Sequence, residues 1–239
     1  SYKIRGAYNL IYSLTSDQRQ RGVVYASAGN HAQGVAWSCK TMNIRGVIYM
    51  PAITPKQKIN QVKMFGGDKI EIVLIGDTFD DCQQHALTYT REHDMTFIPP
   101  FDHERIIEGQ GTVAKEILDE LPSVDFVIVP VGGGGLSAGM GHYLRTYSPK
   151  TNIIGVEPLG APSMQEAIKA GKPVVLDTIQ RFVDGAAVKK IGDLTFEICK
   201  DVLSEVILVP EGKACTTILR SEEHTSELQS RGLISYAVF

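Results

Sequence analysis

The sequence predicts an α/β protein with doubly wound parallel sheets, and two observations support this fold class. Short β-branched runs of strand length alternate along the chain with longer segments whose apolar residues recur at helical spacing. Two of the runs end in a turn that contains glycine, at residues 27–31 and 132–135, and a helical segment follows each turn. Because ligands of doubly wound sheets bind at the carboxyl ends of the strands, we expect the functional site at these two turns.

The order of the elements predicts two α/β blocks. In the first, a helix at 6–14 and a polar connector at 15–21 precede strands at 23–26, 46–50, 70–75 and 95–98 and helices at 32–42, 56–65 and from 78 to about 93. Pro99 and Pro100 close this block. In the second, helices at 106–121, 136–147, 163–170 and 194–203 alternate with strands at 127–131, 152–156 and 206–209.

The composition indicates a small-molecule partner. The 239 residues are 43% hydrophobic and carry a net charge of -3 without a basic cluster, so we expect no binding of nucleic acid or of an anionic membrane. No apolar run approaches the roughly 20 residues of a membrane span, and we predict a cytoplasmic protein. The four cysteines form no C-x-x-C pair and the six histidines no H-x-x-x-H pair, so we predict no metal site.

The apolar run at residues 127–131 leads into Gly132, Gly133, Gly134 and Gly135, followed by Leu136. Without Cβ atoms the backbone of this turn can approach a ligand closely, and the unpaired N–H groups at the start of the next helix favour an anion, usually a phosphate. The alternative is a tight strand-to-helix turn, although four glycines exceed what such a turn needs.

The other turn is made of Ser27, Ala28, Gly29, Asn30 and His31. Its N–H groups could hold a carboxylate while the Asn30 carboxamide hydrogen-bonds a hydroxyl or a ring substituent. The alternative is a helix cap, in which Ser27 or Asn30 satisfies the first turn of its own helix. The glycine run elsewhere in the chain, which also indicates an anion site, favours the first interpretation.

Three motifs in order, S-Y-K-I-R-G-A, S-A-G-N-H-A-Q-G and V-G-G-G-G-L, resemble the threonine deaminases, which are pyridoxal-phosphate enzymes of the tryptophan-synthase-β fold group. The stretch at residues 183–199 is also similar to that family, and the resemblance covers residues 1 to about 219. It implies two doubly wound parallel-sheet domains of that fold, incomplete at both ends. Residues 22–104 would form the small domain, and residues 1–21 with 105–219 the truncated large domain.

The resemblance implies a role for each motif. Lys3 matches the lysine that binds the aldehyde of pyridoxal 5′-phosphate, and residues 132–136 match the loop that binds the cofactor phosphate. Asn30 matches the residue that hydrogen-bonds the hydroxyl of the pyridine ring. In that family the substrate carboxylate is held by the loop that here contains Ser27, Ala28, Gly29 and His31, and Asp184 with Gly185 would lie along the cofactor face.

The implied reaction is an α,β-elimination that converts L-threonine to 2-oxobutanoate and ammonia, and L-serine to pyruvate. Serine racemases share the fold, the lysine and the glycine loop, but they place a second serine where this chain has Ala28, whose methyl cannot donate a proton. We therefore favour elimination. An alternative of another class, a nucleotide-binding Rossmann protein, needs G-x-G-x-x-G and a later acidic residue; Glu157 follows the next strand, but the glycine run fits poorly.

The chain departs from the family at its ends. The serine- and glycine-rich segment that binds the pyridine nitrogen in the family is not in this sequence, so we expect the chain alone to be an inactive fragment of a homo-oligomeric enzyme. Residues 220–239 resemble a translated sequencing adapter, which predicts a non-native tail; the alternative is a polar surface helix. The sequence leaves open whether the enzyme serves isoleucine biosynthesis or threonine catabolism.

Overall fold

The computed structural model describes the backbone of residues 1–230 and the side chains of residues 1–220. The chain forms two compact units, Ser1–Pro122 and one that begins at Ser123. Each unit contains a sheet of parallel strands, which confirms the predicted α/β class. The division into a small domain at residues 22–104 and a large domain on both sides of it stays a prediction.

The first unit combines a four-stranded sheet with six α-helices. Its strands are β1 (Val23–Ala26), β2 (Gly46–Met50), β3 (Ile70–Leu74) and β4 (Thr96–Phe97), in the spatial order β3-β2-β1-β4. Its helices are α1 (Lys3–Ser13), α2 (Ser16–Arg21), α3 (Asn30–Met42), α4 (Lys56–Gly66), α5 (Phe79–Glu92) and α6 (Glu104–Glu120).

Helices cover both faces of this sheet, as a doubly wound architecture requires. Successive side chains of a strand point to opposite faces. Val23 and Tyr25 of β1 belong to a buried cluster with residues of α1 and α3. Val24 and Ala26 belong to another buried cluster, which includes Cys82 of α5. The run of β1 is therefore fully apolar because it is buried on both sides.

The strand order reverses beside β1. The chain passes from β1 through α3 to β2 on one side, whereas β4 pairs with β1 on the other side. Ligands of open parallel sheets bind where the strand order reverses in this way, outside the carboxyl ends of the two strands. The turn at residues 27–29 follows β1, and residues 98–101 follow β4.

Helix α1 touches α6 through backbone atoms. A Cβ atom added to Gly109 of α6 would lie 2.6 Å from the carbonyl oxygen of Arg5, and one added to Gly6 would lie 2.6 Å from that of Ile106. Neither position can hold a side chain without moving a helix. The two glycines thus set the separation between α1 and α6.

The predicted connector at residues 15–21 is wrong, since residues 16–21 form α2. The Thr15 hydroxyl accepts the N–H of Gln18, and the Gln18 side chain accepts the N–H of Thr15, which makes a capping box. No residue of α2 is buried, so the segment carries no apolar periodicity. The capping box was the signal that should have predicted this helix.

The second unit has a three-stranded sheet with the strands β5 (Phe126–Pro130), β6 (Asn152–Pro158) and β7 (Glu205–Val209), in that spatial order. Its helices are α7 (Gly135–Tyr147), α8 (Ser163–Ala170), α9 (Asp193–Val202) and α10 (Glu211–Ser230). Helix α7 packs against α9 and against β5. The positions predicted for these elements are confirmed to within two residues, apart from α10.

Helix α10 runs past residue 220, where the predicted tail begins. The described part of that tail is helical, as the alternative of a polar surface helix requires. Its origin from an adapter stays a prediction, and residues 231–239 lie outside the described residues. Within residues 1–230, none of the helices has the length and hydrophobicity needed to cross a bilayer.

Candidate functional site

Helix α1 begins at Lys3, three residues earlier than the sequence predicts, and its first turn lies directly on α3. A Cβ atom added to Gly34 of α3 would lie 3.0 Å from the Cα of Ile4 and 3.3 Å from the carbonyl carbon of Lys3. Gly34 therefore lets the backbone of Lys3 sit against the N-terminal part of α3. It belongs to the S-A-G-N-H-A-Q-G motif, but the sequence indicated no role for it.

The amine of Lys3 is held by the segment that follows β4. Its Nζ donates a hydrogen bond to the carbonyl oxygen of Pro100 at 2.8 Å. The ring centroids of Tyr2 and Phe101 lie 5.7 Å and 5.8 Å from the same nitrogen. Removal from water lowers the pKa of Lys3 to about 8, because burial penalises the charged form.

The side chain of Arg5 is paired with Glu116. Its guanidinium makes two hydrogen bonds with the Glu116 carboxylate, at 2.5 Å and 2.7 Å. The lowered pKa of Lys3 thus follows from its apolar surroundings and not from the cation two residues away.

His31 connects the turn after β1 with the segment after β4 by a hydrogen bond. Its Nε2 lies 3.0 Å from the carbonyl oxygen of Ile98 and the residue is buried. Burial, and secondly the positive charge of Lys3, lower the pKa of His31 to about 3, against the opposing effect of the hydrogen bond to Ile98. The imidazole is therefore neutral at physiological pH. Since a carbonyl can only accept, Nε2 carries the proton.

The N-terminus of α3 has no side-chain cap. Gly29 occupies the cap position, and the Ser27 hydroxyl accepts the N–H of Gly29 at 3.2 Å instead of an N–H of the helix. The alternative in which Ser27 or Asn30 caps the helix is thus contradicted by the geometry. The first-turn N–H groups, beginning at Asn30, remain uncapped by side chains, which is the arrangement that binds an anion. Ala28 and Asn30 are half-buried.

The glycine loop (residues 132–135) lies in the second unit, between β5 and α7. Gly134 has φ +90°, a backbone conformation that favours glycine, and α7 begins after it without a side-chain cap. A Cβ atom on Gly132 would lie 3.1 Å from the Cα of Ala186, and one on Gly134 would lie 2.9 Å from the Cβ of Thr195. At these two positions the loop passes too close to its neighbours for a side chain. Leu136 follows, half-buried, in the first turn of α7.

The predicted Asp184–Gly185 turn adjoins this loop. The carbonyl oxygen of Gly185 lies 3.4 Å from the position of a Cβ on Gly132. Sequence reasoning missed Thr195, whose hydroxyl donates to the Gly133 carbonyl oxygen at 2.7 Å. It sits within the stretch that resembles the family, but no local pattern distinguishes it from an ordinary helix residue.

Glu157 is a buried carboxylate at the end of β6. It accepts the backbone N–H groups of Met164 at 2.7 Å and Gln165 at 2.9 Å, at the start of α8. Burial raises the pKa of Glu157 to about 7, although these N–H donors act in the opposite direction. In a Rossmann protein the acidic residue binds a ribose hydroxyl. Here both carboxylate oxygens of Glu157 accept backbone N–H groups of α8, so they do not support the nucleotide-binding alternative.

The structure brings the predicted residues of the first unit together. Lys3, His31 and the uncapped start of α3 lie at the carboxyl ends of β1 and β4, along with Pro100 and Phe101, which sequence reasoning missed. The predicted residues of the second unit form the glycine loop. Their roles in binding stay predictions. Among the described residues, no group of three or more His, Cys, Asp or Glu side chains is arranged to hold a metal ion.

Comparison with known proteins shows strong similarity along most of the chain. A family model described as pyridoxal-phosphate dependent enzyme matches residues 1–227. The biosynthetic L-threonine dehydratase IlvA of Halalkalibacterium halodurans is 54% identical over 220 residues, which are 92% of this chain and 53% of that protein. The chain thus spans about half the length of this curated relative.

Two solved structures have closely similar folds. The processed form of threonine deaminase isoform 2 from Solanum lycopersicum has a TM-score of 0.85 and 44% identity, over 88% of this chain and 60% of that one. Maize serine racemase has a TM-score of 0.84 and 33% identity, over 89% of this chain and 63% of that one. Both chemistries considered from the sequence therefore occur among similar structures.

Proposed function

The chain belongs to the family of pyridoxal-phosphate dependent enzymes, and we propose that Lys3 binds the aldehyde of this cofactor and that the glycine loop binds its phosphate. The residues present fit these groups. An aldehyde needs a neutral amine, and burial lowers the pKa of Lys3 to about 8. A phosphate needs free backbone N–H groups, and the glycine loop leads into α7, whose first turn has no side-chain cap.

We propose further that the enzyme converts L-threonine to 2-oxobutanoate and ammonia, and L-serine to pyruvate and ammonia. The β-hydroxyl leaves as water, and one water is taken up again when the product is hydrolysed to release ammonia. The names of the similar dehydratase and deaminase support this substrate class. When bound, the cofactor supplies an electron sink for the Cα carbanion. Lys3 then acts as the base that removes the Cα proton, and the uncapped N–H groups at the start of α3 hold the substrate carboxylate. To Asn30 we assign the hydrogen bond with the hydroxyl of the pyridine ring.

Serine racemisation is the second candidate, because maize serine racemase is similar in fold. Racemisation needs a proton donor on the face of the substrate opposite the base. Ala28 stands where racemases carry a serine, and its methyl group cannot donate a proton. Elimination is therefore favoured. Formation of D-serine from L-serine at a rate that matches pyruvate formation would reverse this preference.

The test of cofactor binding is covalent capture. The protein, expressed within its complete reading frame, is incubated with pyridoxal 5′-phosphate, reduced with borohydride and mapped by mass spectrometry. We expect a phosphopyridoxyl group on Lys3, and no capture by Lys3→Ala. Lys40→Ala is the matched control, since Lys40 is an exposed lysine of α3. Modification spread over several lysines without preference for Lys3 would refute the assignment.

Turnover is measured in the same preparations as 2-oxo acid released from L-threonine or L-serine. We expect 2-oxobutanoate to be lost in Lys3→Ala and retained in Lys40→Ala. The relatives' description as biosynthetic leads us to place the reaction in isoleucine biosynthesis. We also propose that the enzyme acts in the cytoplasm and that it is a homo-oligomer. Light scattering of the purified protein tests the last point, and a monomeric mass would refute it.

A further inference from the structure

Three buried side chains hold the glycine loop from the interior of the second unit. The Thr195 hydroxyl of α9 donates to the carbonyl oxygen of Gly133 at 2.7 Å. The Ser137 hydroxyl donates to the carbonyl oxygen of Gly134 at 3.1 Å, and the Cys199 thiol lies 3.6 Å from that same oxygen. All three side chains are buried. The two carbonyl groups are therefore directed toward these side chains.

The direction of a carbonyl determines the direction of the next N–H group. The carbonyl of Gly133 and the N–H of Gly134 belong to one peptide unit, which is planar and trans, so that the two groups point in opposite directions. A hydrogen bond that fixes the Gly133 oxygen toward α9 therefore directs the Gly134 N–H away from α9. The side chain of Thr195 thereby controls an N–H group that it does not touch.

Of the three side chains, Thr195 matters most. The Gly134 oxygen also accepts the N–H of Ala138 at 2.8 Å, within the first turn of α7. Its direction is thus maintained by the helix itself. The Gly133 oxygen has, besides Thr195, only a long contact of 3.5 Å with the N–H of Gly192 among the interactions of the described residues.

We propose that Thr195 is a positioning residue for the cofactor phosphate: its hydroxyl holds the Gly133 carbonyl so that the Gly134 N–H is directed at the phosphate. This inference rests on the proposed function, because it assumes that the glycine loop binds the phosphate group of pyridoxal 5′-phosphate. Thr195 contacts the loop from the interior of the second unit, so in this proposal it acts on the phosphate only through the loop.

The test compares two ligands, pyridoxal 5′-phosphate and pyridoxal, which lacks the phosphate. Thr195→Val keeps the shape of the side chain and removes the donor, whereas Thr195→Ser keeps the donor. We expect Thr195→Val to weaken the affinity for pyridoxal 5′-phosphate about tenfold and to leave the affinity for pyridoxal unchanged. Thr195→Ser should bind both ligands as the unaltered protein does.

The matched control is Thr151→Val. Thr151 is also a buried threonine of the second unit, and its hydroxyl donates to the Val124 carbonyl oxygen at 2.7 Å, away from the glycine loop. We expect this variant to lose stability without losing affinity for pyridoxal 5′-phosphate. If Thr195→Val does not fold, Thr195→Ala takes its place in the comparison.

The outcomes separate this inference from the proposed function. If the unaltered, folded protein binds no pyridoxal 5′-phosphate, the proposed function fails and the inference falls with it. If the unaltered protein binds the cofactor and Thr195→Val binds it equally well, only the inference is overturned. An equal loss of affinity for both ligands also overturns the inference, since it would show a general structural effect unrelated to the phosphate.

Discussion

The pKa of Lys3 can be tested by raising the pH and following the reactivity of its amine. With a pKa of about 8, roughly 10% of the amine is neutral at pH 7 and roughly 90% at pH 9. A lysine of ordinary pKa goes from about 0.04% to about 4% over the same interval. We therefore expect the reactivity of Lys3 to rise about tenfold and then level off, whereas an ordinary lysine rises about a hundredfold without a plateau.

The assay is competitive labelling with a trace of acetic anhydride, which acylates only neutral amines. The label on the Lys3 peptide is quantified by mass spectrometry, with acetyl-lysine amide in the same tube as the reference. Phe101→Ala should move the plateau to higher pH, because the ring that lies 5.8 Å from Nζ no longer excludes water. Phe79→Ala, at a partly exposed phenylalanine of α5, should not. A hundredfold rise at Lys3, parallel to the reference, would refute a lowered pKa.

Three further predictions concern backbone contact and pH-dependent stability. Gly34→Ala should reduce capture of pyridoxal 5′-phosphate by Lys3, because the added methyl would lie 3.0 Å from the backbone of α1; unchanged capture would show that this contact has no influence. The pKa of His31 is about 3 in the folded protein and 6.5 in the unfolded chain. The contribution of the neutral imidazole to stability is therefore present above pH 6.5 and is lost as the pH falls toward 3. In urea unfolding at several pH values, His31→Gln should weaken this loss of stability at acid pH. The pKa of Glu157 is raised from 4.5 to about 7. The contribution of the protonated carboxyl to stability is therefore present below pH 4.5 and is lost as the pH rises through 7, which lowers the free energy of unfolding by about 3 kcal/mol. Glu157→Gln should remove this pH dependence of stability. If the variant still loses stability between pH 4.5 and 7, another group is responsible.

The sequence predicted the elements whose local patterns are strong. Parallel strands buried on both faces appear as continuous apolar runs, which is why β1 and β2 were found with correct bounds. Both glycine-bearing turns were placed correctly at strand ends. The helices that lack an apolar stripe were harder to predict. Helix α2 buries no residue, and only its capping box indicated it.

The contacts that tune the site could not be predicted, because they join residues far apart in the chain. The Pro100 carbonyl meets Lys3 across 97 positions, and Thr195 meets Gly133 across 62. No spacing rule connects such pairs. The motif resemblance pointed to Lys3 and to the glycine loop, but the cause of the lowered pKa of Lys3 needed the three-dimensional surroundings of Phe101 and Tyr2.

Helix α1 has backbone contact on two sides, with α3 at Gly34 and with α6 at Gly6 and Gly109. In a mutational scan of the protein, these three glycines should tolerate substitution as poorly as Lys3 does, although none of them offers a reactive group. An alignment of relatives should show the same invariance for the same reason. Ranking positions by conservation alone would then mix residues that perform chemistry with residues that only leave room for a helix, and the lysine would have to be distinguished from them by its amine.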